Sequence, residues 1–230
     1  MRQSAVTRFV VATREDKDVF FSKTATGRSL SRLILDGAEL RLFPSNRIGL
    51  PVIYNQAIEE ARNNPAILVF VHDDVHFLDF FTLRRIAEGL EIFDVLGVAG
   101  NKRRLPSQPS WAFINTELAW DTSEHLSGVV AHGKTFPPRQ VTRYGDPRQA
   151  VKLLDGLFLA AKSDILFDSK TAFDERFDFH FYDLDFCRQA EKNGLTCGTW
   201  DLSLMHESGG FFGGDNWQNN YKRYIEKWGE

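Results

Sequence analysis

The stretch AILVFVHDDVHF, Ala66 to Phe77, sets five unbroken apolar residues, Ile67 to Val71, directly before His72, Asp73 and Asp74. A short apolar run closed by polar residues reads as a strand buried on both faces. In an open α/β sheet the carboxyl end of such a strand faces the ligand crevice. Two adjacent carboxylates there repel each other unless a cation or hydrogen-bond donors neutralise them. Side chains alternate along a strand, so His72 and Asp74 are expected on one side, with Asp73 diverging from Asp74 unless the chain turns. A divalent ion such as Mg²⁺ or Mn²⁺ suits oxygen ligands and is usually completed by substrate phosphates. The plain alternative is a pair of acids that caps a turn.

Upstream, residues 8–13 read as a first strand ending at Thr13-Arg14-Glu15. Residues 16–38 are mixed, with a loop expected around Gly27. A second strand, Glu39 to Phe43, stops at Pro44-Ser45-Asn46. Pro51 fits the first turn of a helix whose apolar face is Ile53, Ala57, Ile58 and Ala61, ended by Asn63-Asn64-Pro65. Downstream, Asp79 is expected to cap a helix carrying Leu83, Ile86, Ala87, Leu90 and Phe93 at helical spacing, followed by a strand over residues 94–99. Strands alternating with helices argue for an α/β fold with a mainly parallel sheet. The ends of the first three strands, with His206 after a late one, would then share one crevice.

Residues 100–150 break the pattern. They hold five of the eight prolines and several aromatic residues, among them Trp111, Phe113, Trp120 and Phe136. An irregular stretch of this length reads as functional loop with a few short strands. Its aromatics suit either stacking on sugar rings or ordinary packing. Regular pattern returns with VKLLDGLFLAAKSDIL, a strand-like run and a short helix from Ser163. A helix near residues 183–193 closes on Asn193-Gly194. Trp217, Tyr221, Tyr224, Ile225 and Trp228 form one stripe of a final helix, packed internally or against a second copy.

Within FDERFDFHFYDLDFC, Phe173 to Cys187, Asp183 and Asp185 lie two apart and do not face each other on a helix. One can serve the helix start while the other points into a cleft, where burial among aromatics would raise its pKa toward that of a general base. His206 precedes Glu207-Ser208-Gly209-Gly210, and glycines there permit either close backbone approach to a ligand or a simple turn. His76, His125, His132 and His180 read as ordinary hydrogen-bonded histidines.

Composition bounds the partners. The chain has 230 residues, 43% hydrophobic and 26% charged, with twenty Phe and five Trp, as a globular fold with an aromatic core requires. The net charge of −3 gives no general pull toward nucleic acid or an anionic membrane. Two cysteines without CxxC spacing argue against a disulfide scaffold or a zinc site and for a reduced, cytoplasmic protein. MRQSAVTRFVVATRED lacks a leader-like apolar run, and no segment is long enough to span a bilayer. The tail YKRYIEKW allows at most peripheral membrane contact.

Taken in order, Thr13-Arg14-Glu15, SNRIGLPVIYNQAIEEA, VFVHDDV, LLDGLFLAAKSDIL, FDERFDFHFYDLDFCRQAEKNGL and LMHESGG resemble the family 2-like glycosyltransferases with the GT-A fold, in particular the glycosyltransferase-like branch whose motif reads close to F-V-H-D-D-V. The likeness runs from roughly residue 8 to 210. It implies a three-layer α/β sandwich forming one domain, with residues 1–100 holding a nucleotide sugar and residues 101–230 the acceptor. His72-Asp73-Asp74 takes the place of the family's D-x-D motif. Asp74 falls on its metal-binding acid, and His72 stands where an acid is more usual. His206 matches a late histidine that completes metal binding, the ion being Mn²⁺ or Mg²⁺. Asp183 falls on the general base, with Tyr182 where the family often has Glu. Thr13, Arg14, Glu15, Ser45, Asn46, Asn55, His72 and Asp73 are implied to line the donor pocket, and Asp155 and Gly156 to border the donor sugar and acceptor.

The implied reaction is metal-dependent inverting transfer from a UDP-, GDP- or dTDP-sugar to a saccharide or lipid-linked acceptor, in glycan or cell-surface polysaccharide synthesis. A GT-A module that binds nucleotide sugar or glycan without transferring it is the alternative. A nucleotidyltransferase on a related fold fits less well, because ATREDKDV after the first strand contains no glycine for a phosphate loop.

Overall fold

The computed structural model describes residues 6–35 and 37–229. The leading MRQSA, part of the segment expected to lack a leader, lies outside these residues. The first half of the chain runs β1 (Thr7–Ala12), α1 (Lys17–Lys23), α2 (Ala25–Leu35), β2 (Glu39–Phe43), α3 (Leu50–Glu60), β3 (Ile67–Val71), β4 (Val75–Phe77), α4 (Thr82–Gly89), β5 (Val95–Gly97) and β6 (Ala99–Asn101). It continues with β7 (Leu126–His132), β8 (Gln140–Gly145), β9 (Ala150–Val151), β10 (Leu153–Leu154), β11 (Phe158–Lys162), α5 (Ser163–Asp168), α6 (Tyr182–Lys192), β12 (Cys197–Thr199), β13 (Leu204–His206) and α7 (Asp215–Trp228).

The expected α/β architecture with a central sheet is present, in the order β2-β1-β3-β11-β5-β12-β9. β2, β1 and β3 are parallel, as helical crossovers between them require. Beyond β3 the sheet is mixed instead of mainly parallel. Past an irregularity at Gly156-Leu157 the chain runs on from β10, antiparallel to β6, into β11, which pairs antiparallel with both β5 and β3. A second sheet, β10-β6-β7-β13-β4 with β8 on β7, is built largely from the irregular middle of the chain. There β7 is seven residues long and buried except at Val129 and His132, so it carries no alternation for the sequence to reveal.

The stretch from Ala66 to Phe77 joins the two sheets. β3 is buried throughout and lies between β1 and β11, and β4 belongs to the second sheet. His72, Asp73 and Asp74 form the turn between them. One continuous core extends from Phe9 through Phe70 and Phe158 to Tyr224.

Two local expectations differ, and a third is decided between its alternatives. Residues 16–38 form two helices, and Gly27 lies inside α2, where a Cβ would collide with the Phe20 carbonyl of α1. Glycine there permits helix contact, not a loop. Asp79 accepts the Phe81 N–H at 2.6 Å in a turn ahead of α4 instead of capping it, and α4 ends at Gly89, short of Phe93. The aromatic stripe of α7 packs internally, with Trp217, Tyr221 and Tyr224 against Phe181.

Candidate active site

The ends of β1 and β2 are stitched together by their backbones. Asn46 N–H bonds the Thr13 carbonyl at 2.8 Å, and Ser45 N–H bonds the Glu15 carbonyl at 2.7 Å. Arg14, Glu15 and Ser45 are exposed on this rim, and Asn46 folds its amide onto Ile48. Buried Thr13 reaches the third strand end, donating from Oγ1 to Asp73 Oδ2 at 2.6 Å. Asp73 and Asp74 do diverge. Burial, only partly offset by the Thr13 hydroxyl, raises the Asp73 carboxyl above its ordinary pKa.

The turn itself is held by a residue that the sequence did not single out. Thr26 of α2, fully buried, bridges the carbonyls of His72 and Val75 with its hydroxyl at 2.6 and 2.8 Å. Its backbone N–H bonds the Asp73 carbonyl, and Glu207 N–H bonds that of Asp74.

Asp74 turns the other way, toward β13. Its Oδ1 lies 3.2 Å from His206 Nε2, buried and without an aligned hydrogen bond. His72 joins them. One ligand atom from each of His72, Asp74 and His206 lies within 4.8 Å of the others. Burial opposes a charge on Asp74, but His206 more than compensates and holds the carboxyl well below the usual range. Burial likewise opposes the His206 cation, and Asp74 outweighs it and raises that pKa. Burial lowers the pKa of His72, which favours the neutral ring. Two imidazoles and a carboxylate converging on one point, with a buried carboxylate oxygen lacking an aligned donor, fit a divalent ion.

Tyr182 connects this cluster to the next. Its hydroxyl donates to the Gly156 carbonyl at 2.7 Å and lies 2.9 Å from His72 Nε2. With that proton committed to Gly156, the phenol accepts from His72, which assigns the imidazole proton to Nε2 and leaves the Nδ1 lone pair free. Gly156 N–H in turn bonds Asp183 Oδ2 at 2.9 Å. A side chain at Gly156 would collide with the Tyr182 ring and hydroxyl.

Asp183 and Asp185 separate as the helical spacing requires. Asp185, fully buried, accepts from Lys227 and Trp228 of α7 at 2.6 and 2.9 Å. Asp183 faces the opposite way, into a cavity of about 310 Å³. Its carboxyl is pushed up to about 7, first by burial and then by the charge of Asp155. His72, Asp155, Gly156, Asp183 and His206 all line this cavity.

The other expected residues lie elsewhere. Thr13, Arg14, Glu15, Ser45, Asn46 and Asp73 form the adjoining rim. Asn55 meets neither group. Its amide clamps the 173–175 loop through both backbone groups of Phe173 and through Glu175, each bond 2.9 Å. His132 and Tyr144 line the cavity although nothing in the local sequence marked them for it. His132 ends β7 in register with His206 at the end of β13, a strand-end position that could have flagged it.

Two solved structures show the same fold. GalNAc-T7, solved with UDP, GalNAc and Mn²⁺, aligns with a TM-score of 0.55 at 11% identity over 98% of this chain and 48% of that one. The catalytic domain of Drosophila β1,4-galactosyltransferase 7, in complex with xylobiose, aligns with a TM-score of 0.50 at 10% identity over 95% and 79% of the two chains. At such identities the likeness is one of fold, here GT-A. No curated protein sequence matches the chain. The model of a family described as "Glycosyltransferase like family" matches residues 49–225, a span containing His72, Asp74, Asp183 and His206. The chain belongs to that glycosyltransferase-like family and is a glycosyltransferase on the GT-A fold.

Proposed function

We propose that this chain is a metal-dependent inverting glycosyltransferase that moves a sugar from a nucleoside-diphosphate donor to an acceptor hydroxyl. One observation carries the reading. His72 and His206, which converge with Asp74 on one point, line the same cavity as the Asp183 carboxyl, and the two groups are joined through Tyr182 and Gly156.

His72, Asp74 and His206 would hold the ion. When bound, it would neutralise the donor diphosphate and stabilise it as a leaving group. Two imidazoles in the set favour Mn²⁺ over Mg²⁺, which prefers an all-oxygen shell. The rim of Thr13, Arg14, Glu15, Ser45, Asn46 and Asp73 holds the nucleoside of a UDP-, GDP- or dTDP-sugar. Asn55 serves by holding the 173–175 loop in place. Asp155 and Gly156 border the donor sugar and the acceptor.

Asp183 takes the proton of the acceptor hydroxyl. That oxygen bonds to the anomeric carbon as the bond from that carbon to the diphosphate oxygen breaks on the opposite face, so the configuration inverts. A pKa near 7 suits a base working near neutrality, because it combines an available ionised form with adequate proton affinity. The donor is held by residues 1–100 with His206, and the acceptor by residues 101–230, as parts of one domain. A saccharide or lipid-linked acceptor places the enzyme in glycan or cell-surface polysaccharide assembly. Both cysteines are buried free thiols, consistent with a reducing cytoplasm. Among the described residues no helix is long and apolar enough to cross a membrane.

A thermal-shift series with UDP, GDP and dTDP, each with and without Mn²⁺, tests the donor and metal together. One nucleotide should stabilise the protein only when Mn²⁺ is present, and Asp74→Ala should lose that response. Equal, metal-independent stabilisation of both proteins would remove the metal site. Donor binding without transfer to any acceptor would leave a binding module.

A further inference from the structure

The candidate catalytic groups make up only part of the cavity lining. The lining also includes rings from the irregular 109–120 segment, from β8 and from the loop after β13. Trp120 is 55% exposed, yet it is held firmly. Its indole stacks on Tyr144 at 5.8 Å and 15°. Trp111 meets both rings edge-on, at 6.4 and 4.9 Å. Phe113 packs on Trp120 at 5.0 Å and on Phe212 at 5.1 Å. A backbone bridge pairs Phe113 with Trp120. A large ring so constrained and still facing water has apolar surface ready for a partner.

The charge of the chamber narrows that partner. Among the described residues that line it there is no lysine or arginine, and its basic side chains are histidines alone. His206 is already paired with Asp74. The acidic side chains, Asp155 and Asp183, both face the cavity. Away from the His72–Asp74–His206 group that would hold the ion and the donor diphosphate, an anion placed here would meet two carboxylates and no guanidinium or ammonium to pair with.

A pyranose ring suits both halves of the chamber. Its C–H face is apolar and covers an indole, and its hydroxyl edge donates to carboxylates. We propose that this aromatic chamber is the acceptor subsite, that it seats an uncharged saccharide on the Trp120–Tyr144 platform with a hydroxyl toward Asp183, and that it rejects sugars carrying carboxylate or phosphate. This rests on the glycosyl-transfer reading of the same site and adds the chemical class of its acceptor.

The test is a ligand-observed NMR titration of the full chain with Mn²⁺ and the nucleotide that stabilises it. The probes are methyl glucoside, galactoside, mannoside and xyloside, together with the methyl uronides of the first three and glucose 6-phosphate. At least one neutral glycoside should bind, with its acidic counterpart tenfold or more weaker. Trp120→Ala should weaken the neutral ligand at least tenfold and leave the nucleotide–Mn²⁺ thermal shift as in wild type, and Trp120→Phe should restore most of the binding. An acidic sugar that binds as well as its neutral counterpart would overturn the assignment. So would the absence of any neutral binding, or a Trp120→Ala protein with undiminished affinity. Loss of the nucleotide–Mn²⁺ shift in the wild-type chain would instead overturn the transferase reading itself.

Discussion

Asp183 and Asp185 show how much one residue's surroundings decide. They are of the same type on the same helix turn, yet one faces a cavity and the other is buried under α7. Asp183→Asn should fold, bind donor and lose transfer by about 10²–10⁴-fold, the usual effect of removing a positioned base. A single-turnover assay beside a donor titration checks this, and undiminished transfer would take Asp183 out of the mechanism. Its pKa of about 7 also sets opposite pH trends for activity and stability. The base form grows as pH rises through about 7, so transfer by the wild-type enzyme should increase across that range. The unfolded-state pKa is lower, near 4, so the folded state binds the extra proton. The stability that this proton contributes is complete below about 4 and is lost as pH rises through about 7. Melting curves at pH 6 and 8 should show Asp183→Asn gaining relative to wild type at the higher pH.

At the scale of elements, two contacts carry the site without touching substrate. The Thr26 hydroxyl ties α2 to the turn that bears His72 and Asp74. Thr26→Val keeps the shape and removes the donor, leaving buried carbonyls unpaired at a cost of about 1–3 kcal/mol. Chemical denaturation should report that loss, and a Mn²⁺ titration should show weaker binding, because the ligands lose their anchor. Asp185 pins α7 through Lys227 and Trp228. Asp185→Ala leaves a half-buried ammonium without one of its partners, and breaking a buried pair in this way typically costs about 3–5 kcal/mol. That variant should lose stability well before any direct effect on chemistry. An unchanged denaturation midpoint would show that α7 is held by its rings alone.

Over the whole molecule, the two sheets meet at the turn that carries His72 and Asp74, so an ion bound there would be linked to global stability. Mn²⁺ at about a hundred times its dissociation constant should add about 2.7 kcal/mol. Mg²⁺ at the same concentration should add less, given the two imidazoles, and chelation should reverse both effects. Equal melting temperatures with Mn²⁺, Mg²⁺ and chelator would contradict the ligand set.

The local pattern of residues determined β1, β2, α3, β3, α6 and α7, because amphipathic period, proline at a helix start and glycine at a helix end are short-range signals. It also separated Asp183 from Asp185, which helix geometry alone imposes, and it expected His72 and Asp74 to share a side, an arrangement that the turn after β3 provides. What it left unresolved was long-range. Near-uniform burial hid β7, prolines on either side obscured β8, and a glycine admitted between two helices looks the same in sequence as one in a loop. Only the tertiary structure brought Thr26 under the turn that bears His72 and Asp74, turned Asn55 toward the 173–175 loop and set His132 and Trp120 in the same cavity lining as Asp183. Those placements depend on which strands pair and which faces pack, and residues far apart in the chain acquire a common chemistry only when the fold closes over them.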